Sequence, residues 1–235
     1  MLRRAPFFRR AWNETYGWHV AALLAVLSGS LVAFASLAEA VADDEAFARW
    51  DVQLNRWLHE HSSPGLTRFF EITTTAGSFV FLLIVTAVAA GVLVRRRALA
   101  QALFVVLAFV GAQVVNGLMK LAFERPRPSL RDPQINLQTF SFPSGHAMVS
   151  VAVYGAVAIV VLRYVRGRAA TAAAITCVTL LAVLIAASRV YLGAHYVSDV
   201  LAGLSLGLAW LMLCVLAITV RERRRNASVE TARPG

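Results

Sequence analysis

Six long apolar runs punctuate this chain, at 18–37, 78–94, 98–119, 146–162, 169–187 and 197–220, with short polar stretches between them. A hydrocarbon core of ~30 Å is crossed by about 20 helical residues, and only helices or closed barrels satisfy their backbone groups there. These runs are continuously apolar and do not alternate, so they predict helices. The fold class expected is all-α: a polytopic membrane protein with six transmembrane helices. Residues 46–61 have a different pattern, with Phe47, Trp50, Leu54, Trp57 and Leu58 at spacings of three and four and Arg49, Asp51, Gln53, Asn55 and Arg56 between them. This predicts an amphipathic helix in the first outer loop, either lying in the membrane interface with its tryptophans at headgroup depth or packed on the ends of the bundle.

Composition supports the membrane reading. Hydrophobic residues make up 58% of the 235 and charged residues 15%, with a mean hydropathy of +0.64; a soluble domain of this length is less apolar. No linker divides the chain, so one domain is expected over 18–220, flanked by a basic segment 1–17 and a basic, disordered tail 221–235. The basic start, the apolar run and Ala38-Glu39-Ala40 have the outline of a cleavable signal, but the run exceeds the ~7–15 residues of a signal core, and the helix is expected to be retained. Cys177 and Cys214 both fall in apolar runs and carry no functional signal.

A net charge of +10 raises the question of nucleic acid, and the placement of the charges argues against it. Six alternating crossings put fifteen of the 23 Lys and Arg on one side, flanking helix ends without forming a patch. By the positive-inside rule that side is cytoplasmic, so both termini are expected inside the plasma (inner) membrane. Five of the eight remaining basic residues, Lys120, Arg125, Arg127, Arg131 and Arg189, concentrate in the second and third outer segments, where an anionic ligand explains them.

Three outer stretches carry candidate chemistry. Lys120, the only lysine, ends the third run and is followed by Glu124-Arg125-Pro126-Arg127-Pro128, whose prolines stop the helix and stiffen the segment; on spacing alone either Arg125 or Arg127 suits a phosphate. Phe142-Pro143-Ser144-Gly145-His146 opens the fourth run, with Ser144 placed to cap it and backbone N–H groups at the helix start suited to an anion. The stretch Ser188-Arg189-Val190-Tyr191-Leu192-Gly193-Ala194-His195-Tyr196-Val197-Ser198-Asp199 sets a histidine and a carboxylate four residues apart, one helical turn, so that Asp199 holds one ring nitrogen of His195 and leaves the other to act as nucleophile or base. Six crossings bring Lys120, His146 and His195 to one depth. His59 and His61 lack a third ligand nearby, and no metal site is expected.

Lys120 with Arg127-Pro128, then Pro143-Ser144-Gly145-His146, then Ser188-Arg189 with His195 and Asp199 together resemble the three-part signature of the type 2 phosphatidic acid phosphatase family, which shares its site with vanadium haloperoxidases. The resemblance extends to the six-helix layout. It implies His195 as the nucleophile that becomes a phosphohistidine, Asp199 as the group orienting its ring, and His146 as the acid and then the base. It further implies Lys120, Arg127, Ser144, the Gly145 N–H and Arg189 as holders of the phosphate oxygens. No cofactor or metal is needed in that scheme. The expected partners are membrane lipids and a lipid phosphate substrate, such as undecaprenyl diphosphate, phosphatidic acid or phosphatidylglycerophosphate, reached from the outer side. Non-catalytic lipid-phosphate binding and transport are the rival readings.

Overall fold

A computed structural model describes residues 12–43, 45–128, 139–165 and 167–231. Arg131, the segment 1–11 and the last four residues lie outside the described residues. Among the described residues the chain forms eight helices and no strand: α1 (Trp12–Asp43), α2 (Glu45–Glu60), α3 (Pro64–Thr75), α4 (Phe79–Arg95), α5 (Leu99–Phe123), α6 (Gly145–Val161), α7 (Arg168–Tyr191) and α8 (Val197–Thr231). Each apolar run falls within a helix or covers most of one. Four helices, α1, α5, α7 and α8, are long and apolar enough to cross a membrane, and a fifth crossing results if α3 and α4, bent by 43°, are taken as one span. α6 is apolar but only 17 residues long.

Two elements differ from expectation. α3 was not foreseen, because Pro64–Thr75 mixes Phe69, Phe70 and Ile72 with Arg68, Glu71 and four threonines and so breaks the apolar pattern. α8 continues as helix to Thr231, where a disordered tail was expected from Arg221.

α6 lies at the centre, packed by α5, α7 and α8, while α1 lies along α8 and α3 along α7. All but a few side chains of the α6 face toward these neighbours are fully buried, among them Ala147, Met148, Val149, Ala152, Val153 and Ala156. α8 approaches α6 backbone to backbone through Gly203 and Gly207, a small-residue spacing of four. A Cβ at Gly203 would stand 2.6 Å from the Ser144 carbonyl oxygen and 3.1 Å from the Ala147 Cβ. At one end of the bundle Phe142, fully buried, stacks between Phe123 of α5 and Phe34 of α1, with centroids 4.8 and 5.9 Å away. This aromatic cluster fixes the segment leading into α6.

Candidate active site

The three stretches singled out in the sequence meet at that end. α7 finishes at Tyr191; Gly193, at φ +64°, turns the chain in the left-handed region that glycine tolerates, and the Ala194 and His195 N–H groups both return to the Arg189 carbonyl. The turn delivers His195, almost fully buried, just ahead of α8. Its Nδ1 lies 3.3 Å from Asp199 Oδ2, and its Nε2 lies 3.2 Å from NH1 of Arg127. Burial pushes the imidazole down to about 4, against the hydrogen bond and charge of Asp199, which favour the protonated ring. At neutral pH the ring is therefore uncharged.

Asp199 is buried and satisfied on both oxygens. Oδ2 accepts from the Tyr196 N–H at 2.9 Å, from His195 and from the Ser141 hydroxyl, while Oδ1 accepts from NH1 of Arg125 at 2.6 Å. The spacing left Arg125 and Arg127 interchangeable, and the structure separates them. Arg125 turns inward between the carboxylates of Asp199 and Asp51, its guanidinium 4.2 Å from the Tyr196 ring centroid. Arg127 faces His195, bracing itself on the carbonyls of Ala194 (2.8 Å), Thr139 (2.7 Å) and Phe140 (3.2 Å). Lys120 Nζ donates to the same Phe140 carbonyl, so Lys120 and Arg127 share one backbone acceptor.

Ser144 occupies the N-cap position of α6, but its hydroxyl makes no cap bond and, although buried, has no hydrogen-bond partner among the described residues. Its N–H instead donates to the Asp199 carbonyl at 2.9 Å, tying the start of α6 to the first turn of α8. Gly145 is held against Asn116 of α5, whose amide donates to the Pro143 carbonyl at 3.3 Å and whose Oδ1 would be 2.9 Å from a Cβ at position 145. His146 lies within electrostatic reach of Arg189, His195, Arg127 and Lys120. Arg189, also buried, donates from NH1 to Thr74 Oγ1 of α3 at 2.8 Å. All eight residues expected in the site thus gather at one end of the bundle.

The amphipathic helix seats part of its polar face on the site. Trp50 and Trp57 are 48% and 54% exposed, whereas Asp51 and Asn55, read as members of the polar face, are buried against the start of α8. Asp51 Oδ1 accepts from the N–H groups of Val197 (3.0 Å) and Ser198 (3.3 Å), and Asn55 donates to the His195 carbonyl at 3.3 Å. Sequence reasoning missed Asp51, Asn55, Thr74, Asn116, Ser141 and Ser198 as neighbours of the site. Asp51 and Asn55 repeat the four-residue spacing of His195 and Asp199, the one available signal.

The site can therefore present a neutral, oriented imidazole nitrogen to an electrophile surrounded by Lys120, Arg127 and Arg189, the setting phosphoryl transfer uses. Comparison with known proteins agrees. Residues 100–223 match the PAP2 superfamily. The chain is 35% identical over 167 residues to phosphatidylglycerophosphatase B of Bacillus subtilis strain 168, covering 70% of this chain and 78% of that protein. The crystal structure of the first transmembrane PAP2 type phosphatidylglycerolphosphate phosphatase from Bacillus subtilis superposes with a TM-score of 0.74 at 30% identity, over 80% of this chain and 94% of that one. Aquifex aeolicus LpxE shares the fold, with a TM-score of 0.53 at 23% identity over 69% of this chain and 93% of that one.

Proposed function

Since the chain belongs to the PAP2 superfamily and is a membrane lipid phosphatase, we propose that it hydrolyses its lipid phosphate through a phosphohistidine on His195. The observation that carries this reading is the pair of contacts on the imidazole, Nδ1 to Asp199 and Nε2 toward Arg127. In the first step the Nε2 lone pair attacks phosphorus in line, the bond from phosphorus to the lipid oxygen breaks, and His146 gives that oxygen a proton. In the second, His146 takes a proton from water as its oxygen attacks phosphorus, the P–N bond breaks, and inorganic phosphate leaves. Lys120, Arg127, Arg189, the Ser144 hydroxyl and the Gly145 N–H hold the equatorial oxygens, where charge accumulates in the transition state.

The topology that suits this chemistry has six crossings: α1, the bent pair α3–α4, α5, α6, α7 and α8. Both termini are cytoplasmic, α2 lies in the outer interface, and the site opens to the outer side. Phosphatidylglycerophosphate is the first substrate to test, because the two Bacillus subtilis relatives are named for acting on it; phosphatidic acid and undecaprenyl diphosphate follow. The experiment is inorganic phosphate release from each lipid by the purified protein and by His195→Ala, in detergent with EDTA. Release by the parent alone supports metal-independent histidine chemistry. Equal release by the variant removes His195 from the mechanism.

A further inference from the structure

α8 begins without a cap of its own. Tyr196, at its N-cap position, has no side chain suited to accept from the first turn, and the N–H groups of Val197 and Ser198 would be two of the orphan donors of a buried helix start. Asp51, from a helix about 145 residues earlier, supplies the missing acceptor: its Oδ1 takes both N–H groups. Its Oδ2 accepts from NH2 of Arg125 at 3.0 Å and from the Ser198 hydroxyl. The other nitrogen of the same guanidinium holds Ser198 Oγ at 2.7 Å and Asp199 Oδ1 at 2.6 Å. Asp51 is fully buried.

We propose that Asp51 is a positioning residue for the nucleophile, acting through Arg125 and the capped first turn of α8 to aim the Asp199 carboxylate at His195. The inference rests on His195 being the nucleophile. A buried arginine facing one carboxylate would draw that carboxylate into a bidentate pair. Because Asp51 occupies one side of the Arg125 fork, Asp199 gives Arg125 only Oδ1 and keeps Oδ2 for His195, Tyr196 and Ser141. The second carboxylate thus stops the first from rotating away from the histidine.

The discriminating variant is Asp51→Asn. It has the same shape and keeps an oxygen for the Val197 and Ser198 N–H groups, but sets an amide against the guanidinium. Misplacement of a catalytic group by an ångström costs on the order of 10²-fold, so a fall in kcat of about that size is expected, with KM within about twofold of the parent, in full-length protein assayed for phosphate release from phosphatidylglycerophosphate. Ser198→Ala, which leaves both carboxylates in place, is expected to lose less than Asp51→Asn. A role limited to holding α2 in place predicts the opposite outcome for Asp51→Asn: a lower Tm and yield with unchanged kcat for the folded fraction, and that result overturns the proposal. A rise in KM with kcat unchanged overturns it too, because it places Asp51 in substrate binding. If His195→Ala retains activity, the underlying reading has failed; if His195→Ala is inactive while Asp51→Asn matches the parent, only the present inference has.

Discussion

NH1 of Arg127 stands 3.2 Å from Nε2 of His195. A guanidinium can only donate, so Nε2 carries the lone pair and the ring proton belongs on Nδ1, where Asp199 Oδ2 receives it. The tautomer is thereby fixed from both sides, and the nitrogen proposed to attack phosphorus already faces Arg127.

Arg127 therefore has two tasks, and substitution separates them. Arg127→Ala should reduce kcat on the preferred lipid phosphate by about 10²–10³-fold, the loss typical of removing one donor to a developing oxyanion. Arg127→Lys keeps the charge but cannot reproduce a fork braced on the carbonyls of Ala194, Thr139 and Phe140, and is expected to recover less than a tenth of the lost rate. Steady-state phosphate release measures both, and full activity in Arg127→Lys would reduce the residue to a point charge.

The titration of His195 gives a second expectation. Its folded-state value, about 4, lies below the ordinary 6.5, with burial as the main cause. As pH falls through 6.5 the unfolded chain takes up a proton that the native site refuses until about 4, so this group lowers stability progressively across that window and leaves it unchanged above it. The full effect is on the order of 3 kcal/mol. Thermal unfolding of the parent and of His195→Gln between pH 4 and 8 should show a steeper acid decline in the parent. The acid limb of kcat/KM should likewise fall below pH 5. A limb at 6.5 would mean that the ring is solvated.

The seat of α8 on α6 supplies a third. Gly203→Ala places a methyl 2.6 Å from the Ser144 carbonyl oxygen, so the helices must part. Overpacking of this kind costs about 1–3 kcal/mol, and here it also moves the segment that carries Ser144 and His146. Tm and kcat should fall together. Gly91→Ala, on the same kind of apolar helix but with nothing within 4 Å of the new methyl, is expected to leave both unchanged or to raise Tm slightly.

How much of this was legible in the sequence depends on the range of the interaction. α4 to α7 begin and end close to the apolar runs, and α8 begins with its run, because a helix bathed in lipid must be apolar throughout and the pattern is local. His195 and Asp199 were legible for the same reason, being one turn apart. Arg125 and Arg127 were not distinguishable by spacing, since what separates them is Asp51, about 75 residues earlier, on one side and His195, 68 residues later, on the other. α2 was read from its aromatic stripe, as a helix lying in the membrane interface or packed on the ends of the bundle. It buries Asp51 and Asn55, because their partners are the exposed backbone donors and acceptors of a distant helix start. No periodicity within residues 46–61 encodes a partner that far along the chain.

Gly203 and Gly207 bring two main chains into contact, and the residues placed on them inherit that closeness. His146 stands at the head of one helix and His195 just ahead of the other, so the spacing of the two histidines depends on how closely these main chains seat on each other. On the proposed phosphohistidine route, that seat of one main chain on the other sets the span across which phosphorus would pass from oxygen to nitrogen.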